Sequence, residues 1–503
     1  MTTLDPLDLD RPTRLGTLRR SIALLALAAI VVAWWQVAAA TDGLEVTTRE
    51  QDGVPVDLLI PEDAVDAPGV VVAHGFAGSR QLMRATALAL ADAGFVVAVP
   101  DLAGHGANPR PLPTDDEGAQ LAADVLSAVA VLEATPQVAA GQVGLLGHSM
   151  GSGAVLRAAI DAPERIGAVV AVSPTDAPVT PERPGDLLLL AGELEPRFVA
   201  NATSLLERAG GPSGPEQDGP RRALAVIDGV EHVSILFAAD MHRRSVAFLA
   251  DGAGVAGTEV DVDADVGGAG PLGWWALHLL AVLVLWRALV PLLVDRGTGA
   301  RVGGRSLLGA VLGAVAATTV LAVAGAAVDL TGLGGMLVAP VLAGWFLVAG
   351  AVWLWVGVRP SRLDARDGIW ALLLVGVLAL ALAALGGRAW LPVVPTGLRA
   401  ALLPGFVVAV LPWTVALATS LQGRRGVRAA LWWLVVVLVV TVGLAIAAAV
   451  VPALGFLVLL LPLVPVLLTV SAVTWAPLQR PWAGGLATAA LLGWMLAVLF
   501  PLA

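Results

Sequence analysis

Ser149 stands in Gly147-His148-Ser149-Met150-Gly151, after a short apolar run that begins at Val143 and before an apolar, helix-compatible segment from Ala154 to Ile160. Strand, sharp turn and helix in that order hold a serine on a strained backbone turn and push its hydroxyl outward. The flanking glycines fit the same geometry, because a β-carbon there would meet the neighbouring strand or helix. Such a hydroxyl becomes a nucleophile when a base takes its proton, an acid orients the base, and backbone N–H groups receive the developing oxyanion. Ser79 and Ser152 also lie near motif glycines, but neither sits on the turn. The bases available are six histidines: His74, His105 and His148 within glycine-containing motifs, His278 at the start of an apolar span, and His232 and His242 apart from both.

The elements that must position these groups occupy residues 41–251. Val70 to Ala73, Phe95 to Val99, Val143 to His148, Ala168 to Val172, Leu187 to Leu190 and Ala223 to Ile227 read as buried strands. Helical segments from Gln81 to Ala93 and from about Glu117 to Glu133 alternate with them, the pattern of a parallel α/β sheet. Polar residues and glycines follow each strand, where open α/β sheets place their sites.

Three motifs occur in order at these strand ends: His74-Gly75-Phe76 with Gly78-Ser79, then Asp101-Leu102-Ala103-Gly104-His105-Gly106, then the serine turn. On these the segment from about residue 55 to 250 resembles the α/β-hydrolase superfamily, most closely its serine-aminopeptidase-like and dienelactone-hydrolase-like branches. The resemblance implies a Ser, acid, His order along the chain, which puts the base at His232, just after the last strand, with His242 in reserve. The family pattern Gly-x-x-Asp maps the acid onto Glu195; Asp176, after the preceding strand, is the alternative. By the same resemblance the oxyanion donors are the backbone N–H groups of Phe76 and Met150, and His74, Asp101 and His105 fix loops. No metal or organic cofactor is implied. The strands ending at Val172 and starting at Leu187 are joined by a short proline-rich segment with no room for the helical cap of many relatives. The site is therefore expected to be open, or covered by the membrane or by outer loops of the C-terminal region. That favours ester or lipid substrates, with peptides open as well.

Composition sets the surroundings. Of 503 residues 57% are hydrophobic and 14% charged, so much of the chain must lie in lipid. Cysteine is absent, which excludes disulfides, thiolate metal sites and a cysteine nucleophile. A net charge of -10 without a basic stripe is poorly suited to nucleic acid. Arg11, Arg14, Arg19 and Arg20 precede the apolar run 21–40, so residues 1–20 are expected in the cytoplasm and the run to cross the membrane as an anchor. A cleaved signal peptide ending at Ala38-Ala39-Ala40 is the rival reading; the length of the run and the interfacial pair Trp34-Trp35 favour the anchor.

A Gly/Asp-rich linker is expected over 252–273, followed by a polytopic region, 274–503. About eight spans are read there, near 274–294, 306–328, 336–358, 369–386, 401–421, 429–451, 453–475 and 483–502. Arginines at 296, 301 and 305, at 359, 362 and 366, and at 424, 425 and 428 then fall on one side, leaving the hydrolase segment extracytoplasmic. Arg388 and Arg399 are the exceptions, and the hairpin at Pro452 decides on which side the chain emerges. The expectation is a multi-pass protein of a bacterial cell membrane with a serine hydrolase outside. Two other readings are a transporter or channel with a hydrolase-like outer domain, and a binding module on an inactive fold. The spans hold almost no ionisable group near mid-depth, Arg287 lying nearer the cytoplasmic end, which speaks against the first. The serine turn, base and acid in order speak against the second.

Overall fold

A computed structural model describes residues 14–113, 118–214, 219–252, 270–293, 304–385, 392 and 394–503. Its N-terminal part is an eight-stranded sheet in the order β1-β2-β4-β3-β5-β6-β7-β8. The strands are β1 (Leu44–Gln51), β2 (Val54–Pro61), β3 (Gly69–Ala73), β4 (Val96–Pro100), β5 (Val143–His148), β6 (Ile166–Val172), β7 (Asp186–Gly192) and β8 (Arg222–Ile227). Strand β2 runs antiparallel to β1 and β4, and every other pairing is parallel.

The central strands are apolar on both faces because both are covered by helices. Val71 and Ala73 point to the layer of α3 (Ala119–Glu133), α4 (Met150–Asp161) and α5 (Pro196–Arg208). Val70 and Val72 point to the opposite layer, built on α2 (Arg84–Asp92) and α6 (Ala239–Gly252). Helix α2 starts three residues later than the sequence suggests, because Ser79 to Met83 form turns. The β1–β2 hairpin, which the apolar pattern does not announce, turns on Asp52 (φ 53) and Gly53 (φ 75). Positive φ at both central residues is what a two-residue hairpin turn of primed type requires.

Among the described residues eight helices are long and apolar enough to cross a membrane. They are α1 (Arg14–Ala39), α7 (Gly270–Leu293), α8 (Ser306–Ala327), α9 (Ala339–Val356), α10 (Ala365–Leu385), α11 (Gly397–Ser420), α12 (Gly426–Val450) and α15 (Pro481–Leu499). Helix α1 packs along α7, with Trp34 edge-on to Trp275 at 6.0 Å. Helix α7 begins at Gly270, so the expected linker is shorter at its C-terminal end; residues 253–269 lie outside the described residues, as do Arg296, Arg301 and Arg388.

The span expected over 453–475 is not one straight helix. A pair, Pro452–Leu460 and Leu463–Leu478, bends by 68°. It contains α13 (Leu457–Leu460) and α14 (Leu463–Trp475), and Pro462, which cannot donate to the helical ladder, stands at the break. The two ends of the pair lie on opposite faces of the bundle. Phe456 touches the sheet domain, its ring 4.4 Å from that of Phe76. At the far end the Gln479 carbonyl accepts from the Gln422 amide at 3.2 Å, and Arg480 pairs with Asp367 at 3.1 Å, both beside loops away from the sheet. The pair is therefore one broken span, and α15 returns the chain to the sheet domain. There Leu502 N–H donates to the Gly104 carbonyl at 2.9 Å and Leu112 N–H donates to the Leu502 carbonyl at 2.9 Å. Arg399, an exception to the charge pattern, is 2% exposed and donates to the carbonyls of Gly104 and Phe500, holding the same junction.

Candidate active site

Strand β5 ends at His148 and α4 starts at Met150, leaving Ser149 alone on the turn at φ 53, ψ -121. A non-glycine residue in that region stores about 1–3 kcal/mol, which the packing around it must hold. The turn is that tight because strand and helix nearly touch: a Cβ on Gly147 would lie 2.3 Å from the Gly151 carbonyl oxygen. One on Gly151 would lie 2.5 Å from that of His74.

Three sequence-designated groups meet here. The Ser149 hydroxyl donates to His232 Nε2 at 3.0 Å, and His232 Nδ1–H donates to Glu195 Oε2 at 2.8 Å. The other carboxylate oxygen of Glu195 accepts from the Ser173 hydroxyl at 2.6 Å and from the Gly192 N–H at 2.6 Å. With the proton on Nδ1 held by the carboxylate, Nε2 keeps its lone pair toward the serine. All three side chains belong to buried residues, each less than 8% exposed. His232 is further fixed by Phe198, stacked at 4.2 Å, and by His148, whose Nε2–H donates to the His232 carbonyl at 2.8 Å. Burial, and next the neighbouring His232, push the His148 pKa well below its usual value, so it serves as a neutral donor.

The other candidates lie elsewhere. Asp176 is on the surface, its side chain 77% exposed and paired with Arg208. His242 is buried, its Nε2–H donates to the Leu236 carbonyl at 3.0 Å, and burial pushes its pKa down to about 4. Ser152 donates to the Ser149 carbonyl and Ser79 is fully buried. The motif residues hold loops: His74 Nδ1–H donates to the Gly75 carbonyl at 2.9 Å while Nε2 accepts from Leu102 N–H at 3.1 Å. Asp101 accepts from Arg80 N–H at 2.9 Å and Ala107 N–H at 2.8 Å. His105 Nδ1–H donates to the Ala103 carbonyl at 2.9 Å.

Phe76 N–H makes no backbone hydrogen bond among the described residues, and Met150 N–H, at the first position of α4, has no intrahelical partner. Both follow the strands that flank Ser149, β3 and β5. Sequence reasoning did not find Ser173, Gly192 and Phe198, which hold the acid and the imidazole, nor Phe456, which brings the bundle to Phe76. A serine directly after β6, as Ser173 is, was the one available signal.

Residues 68–211 match the family described as alpha/beta hydrolase fold. Among solved structures, an epoxide hydrolase from Vigna radiata is 15% identical, covering 42% of this chain and 99% of its own, with a TM-score of 0.33. A dienelactone hydrolase from Anabaena variabilis is 21% identical over 40% of this chain and 96% of its own, with a TM-score of 0.31. A hypothetical protein from Pseudomonas aeruginosa is 16% identical over 41% and 94%, with a TM-score of 0.34. No curated protein matches the chain. The sheet order, the helices on both faces and the family match together identify an α/β-hydrolase domain, carried by a chain that continues into a helical region with several membrane-capable helices.

Proposed function

We propose that the chain is a membrane-anchored serine hydrolase that cleaves an ester, or an amide, through an acyl-enzyme. The observation that carries this reading is the hydrogen-bond chain Ser149, His232, Glu195, at 3.0 and 2.8 Å, on a strained turn. Ser149 Oγ attacks the acyl carbonyl as its proton passes to His232 Nε2. Glu195 stabilises the resulting imidazolium and keeps the ring in place. The oxyanion forms against the N–H groups of Phe76 and Met150, the second aided by the partial positive charge at the start of α4. His232 then returns the proton to the leaving alcohol or amine. Water, deprotonated by the same nitrogen, releases the acid and restores the serine.

The packing of α1 on α7 favours α1 as a retained anchor. Arg305, Arg359, Arg362, Arg366, Arg424, Arg425 and Arg428 flank helix ends on the face away from the sheet. Under the positive-inside rule that face is cytoplasmic and the hydrolase domain is outside.

The test is labelling of detergent-solubilised protein with a short-chain fluorophosphonate, comparing wild type with Ser149→Ala and His232→Ala. Labelling of the wild type that disappears in both variants is expected. A folded wild type that takes no label overturns the reading.

A further inference from the structure

The loop between β3 and α2 sets the direction of the Phe76 N–H, which makes no backbone hydrogen bond among the described residues. A Cβ on Gly75 would lie 3.0 Å from that of Ser149, so the peptide joining Gly75 to Phe76 runs beside the nucleophile. The loop turns back at once: Gly78 N–H donates to the Gly75 carbonyl at 3.0 Å, with Ala77 at φ 57. A non-glycine residue in that region is strained and keeps its conformation only where the packing around it enforces it. Here the packing comes through the ring of Phe76, which meets that of His105 edge-on at 5.7 Å and that of Phe456 at 4.4 Å. Both neighbours depend on the helical bundle. Phe456 belongs to it, at the head of the broken pair, just after a turn anchored by Val451 and Leu454, which are 1% and 0% exposed. His105 lies in the loop that Leu502 and Arg399 clasp through the Gly104 carbonyl.

We infer that Phe456 is a positioning residue of the active site: it acts through the ring of Phe76 to aim the oxyanion N–H, and the bundle thereby completes the hydrolase domain it is joined to. The inference rests on the serine hydrolase reading and gives the C-terminal half of the chain a part in it. An oxyanion donor stabilises the transition state only when it already points to where the charge develops. A peptide whose side chain is packed between two rings cannot swing away from that position. In this role Phe456 acts on the transition state and not on bound substrate, so its loss lowers kcat and leaves KM nearly unchanged.

Full-length protein in detergent is assayed with p-nitrophenyl acetate, a soluble ester that needs no delivery from lipid. It is also titrated with an aryl trifluoromethyl ketone. Ser149 Oγ bonds to the ketone carbon, its proton passes to His232 Nε2, and the carbonyl oxygen becomes an oxyanion that mimics the transition state. Phe456→Ala is expected to lower kcat about 10- to 100-fold, short of the roughly 10²–10³-fold cost of deleting such a donor outright. KM should stay within about threefold, and the Ki of the ketone should rise by the same factor as kcat falls. Phe456→Leu, which refills the space beside Phe76, is expected to bring kcat back to within about threefold of wild type. Phe76→Ala keeps the N–H but removes the ring, so adding Phe456→Ala to it should cost little more. A wild-type kcat in folded Phe456→Ala, an effect on KM alone, or full additivity in the double variant overturns the inference. If Phe456→Ala does not fold, Phe76→Ala decides alone: kcat lowered and ketone Ki raised together are expected, and wild-type values of both overturn it. Short-chain fluorophosphonate labelling of the wild type separates the two levels. Labelling with Phe456→Ala kinetics like those of wild type refutes the positioning role only, and absent labelling refutes the hydrolase reading beneath it.

Discussion

Replacing Glu195 with glutamine changes one atom and tests the orientation of the imidazole directly. The carboxylate accepts from His232 Nδ1–H at 2.8 Å, from the Ser173 hydroxyl at 2.6 Å and from Gly192 N–H at 2.6 Å. An amide cannot reproduce that set. If its NH₂ faced Gly192, two donors would meet at a residue only 6% exposed. A buried N–H left unpaired costs about 1–3 kcal/mol. The amide therefore keeps its oxygen on Gly192 and Ser173 and turns its NH₂ to His232. Nδ1 must then accept, the proton moves to Nε2, and the nitrogen facing Ser149 becomes a donor in place of an acceptor. The same exchange in a Ser-His-Asp triad lowers kcat about 10⁴-fold. That corresponds to about 5.4 kcal/mol of transition-state stabilisation. Steady-state hydrolysis of a soluble p-nitrophenyl ester at neutral pH measures it, with thermal unfolding as the control for folding. A folded Glu195→Gln enzyme within about tenfold of wild type, where Ser149→Ala is inactive, would refute the role given to this carboxylate.

Gly151→Ala forces a Cβ to within 2.5 Å of the His74 carbonyl oxygen, and the domain is expected to lose about 3 kcal/mol and its fluorophosphonate labelling, read by thermal melts and gel fluorescence. His242, neutral in the fold with its pKa pushed down to about 4 from 6.5, protonates first in the unfolded chain, so stability falls as pH drops from 6.5 to about 4. His242→Gln should remove about 3 kcal/mol of that fall and flatten the acid limb of Tm against pH; an unchanged slope would count against it. Arg399→Met removes the donor shared by the Gly104 and Phe500 carbonyls and is expected to speed hydrogen exchange in peptides covering 102–112 by about tenfold, detectable by mass spectrometry; unchanged exchange would show that the Leu502 pairing suffices alone.

What the sequence disclosed followed from local signals. Short β-branched apolar runs bounded by turn residues, such as Val70 to Ala73, read as buried strands, and glycines around Ser149 mark a turn that few backbones tolerate. His232 was reached through the Ser, acid, His order and Glu195 through the Gly-x-x-Asp pattern, both implied by the family resemblance, and the fold brings the two within hydrogen-bond reach of each other. Strand β1 escaped notice because it lies at the edge and is largely exposed, so Thr47 to Glu50 show no apolar alternation; Asp52-Gly53 was the better clue. The break in the seventh C-terminal span was hidden for the opposite reason. Every residue from Leu457 to Leu468 is apolar or proline, and hydropathy cannot tell a straight helix from a bent one. Ser173 and Phe456 act through partners distant in sequence, Glu195 and Phe76, and no local pattern reports such pairs. Arg399 ran against the charge rule because its guanidinium is spent on two carbonyls and never meets the lipid interface.

The pairing of Leu502 with Gly104 and Leu112 also sets an order of events during synthesis. The hydrolase segment leaves the ribosome early, with the strands of its sheet complete by Ile227. Its Gly104–Leu112 loop must wait for a partner made about 400 residues later, and for Arg399, which is 295 residues downstream. At about 5–20 residues per second that interval is tens of seconds, during which the C-terminal helices are made. The nascent chain thus passes through a stage in which the serine turn is already built and the loop beside it is still unclasped. Ordering of the loop waits on residues at the far end of the bundle, so a chain truncated anywhere between the sheet and Leu502 would carry the serine turn beside an unclasped loop.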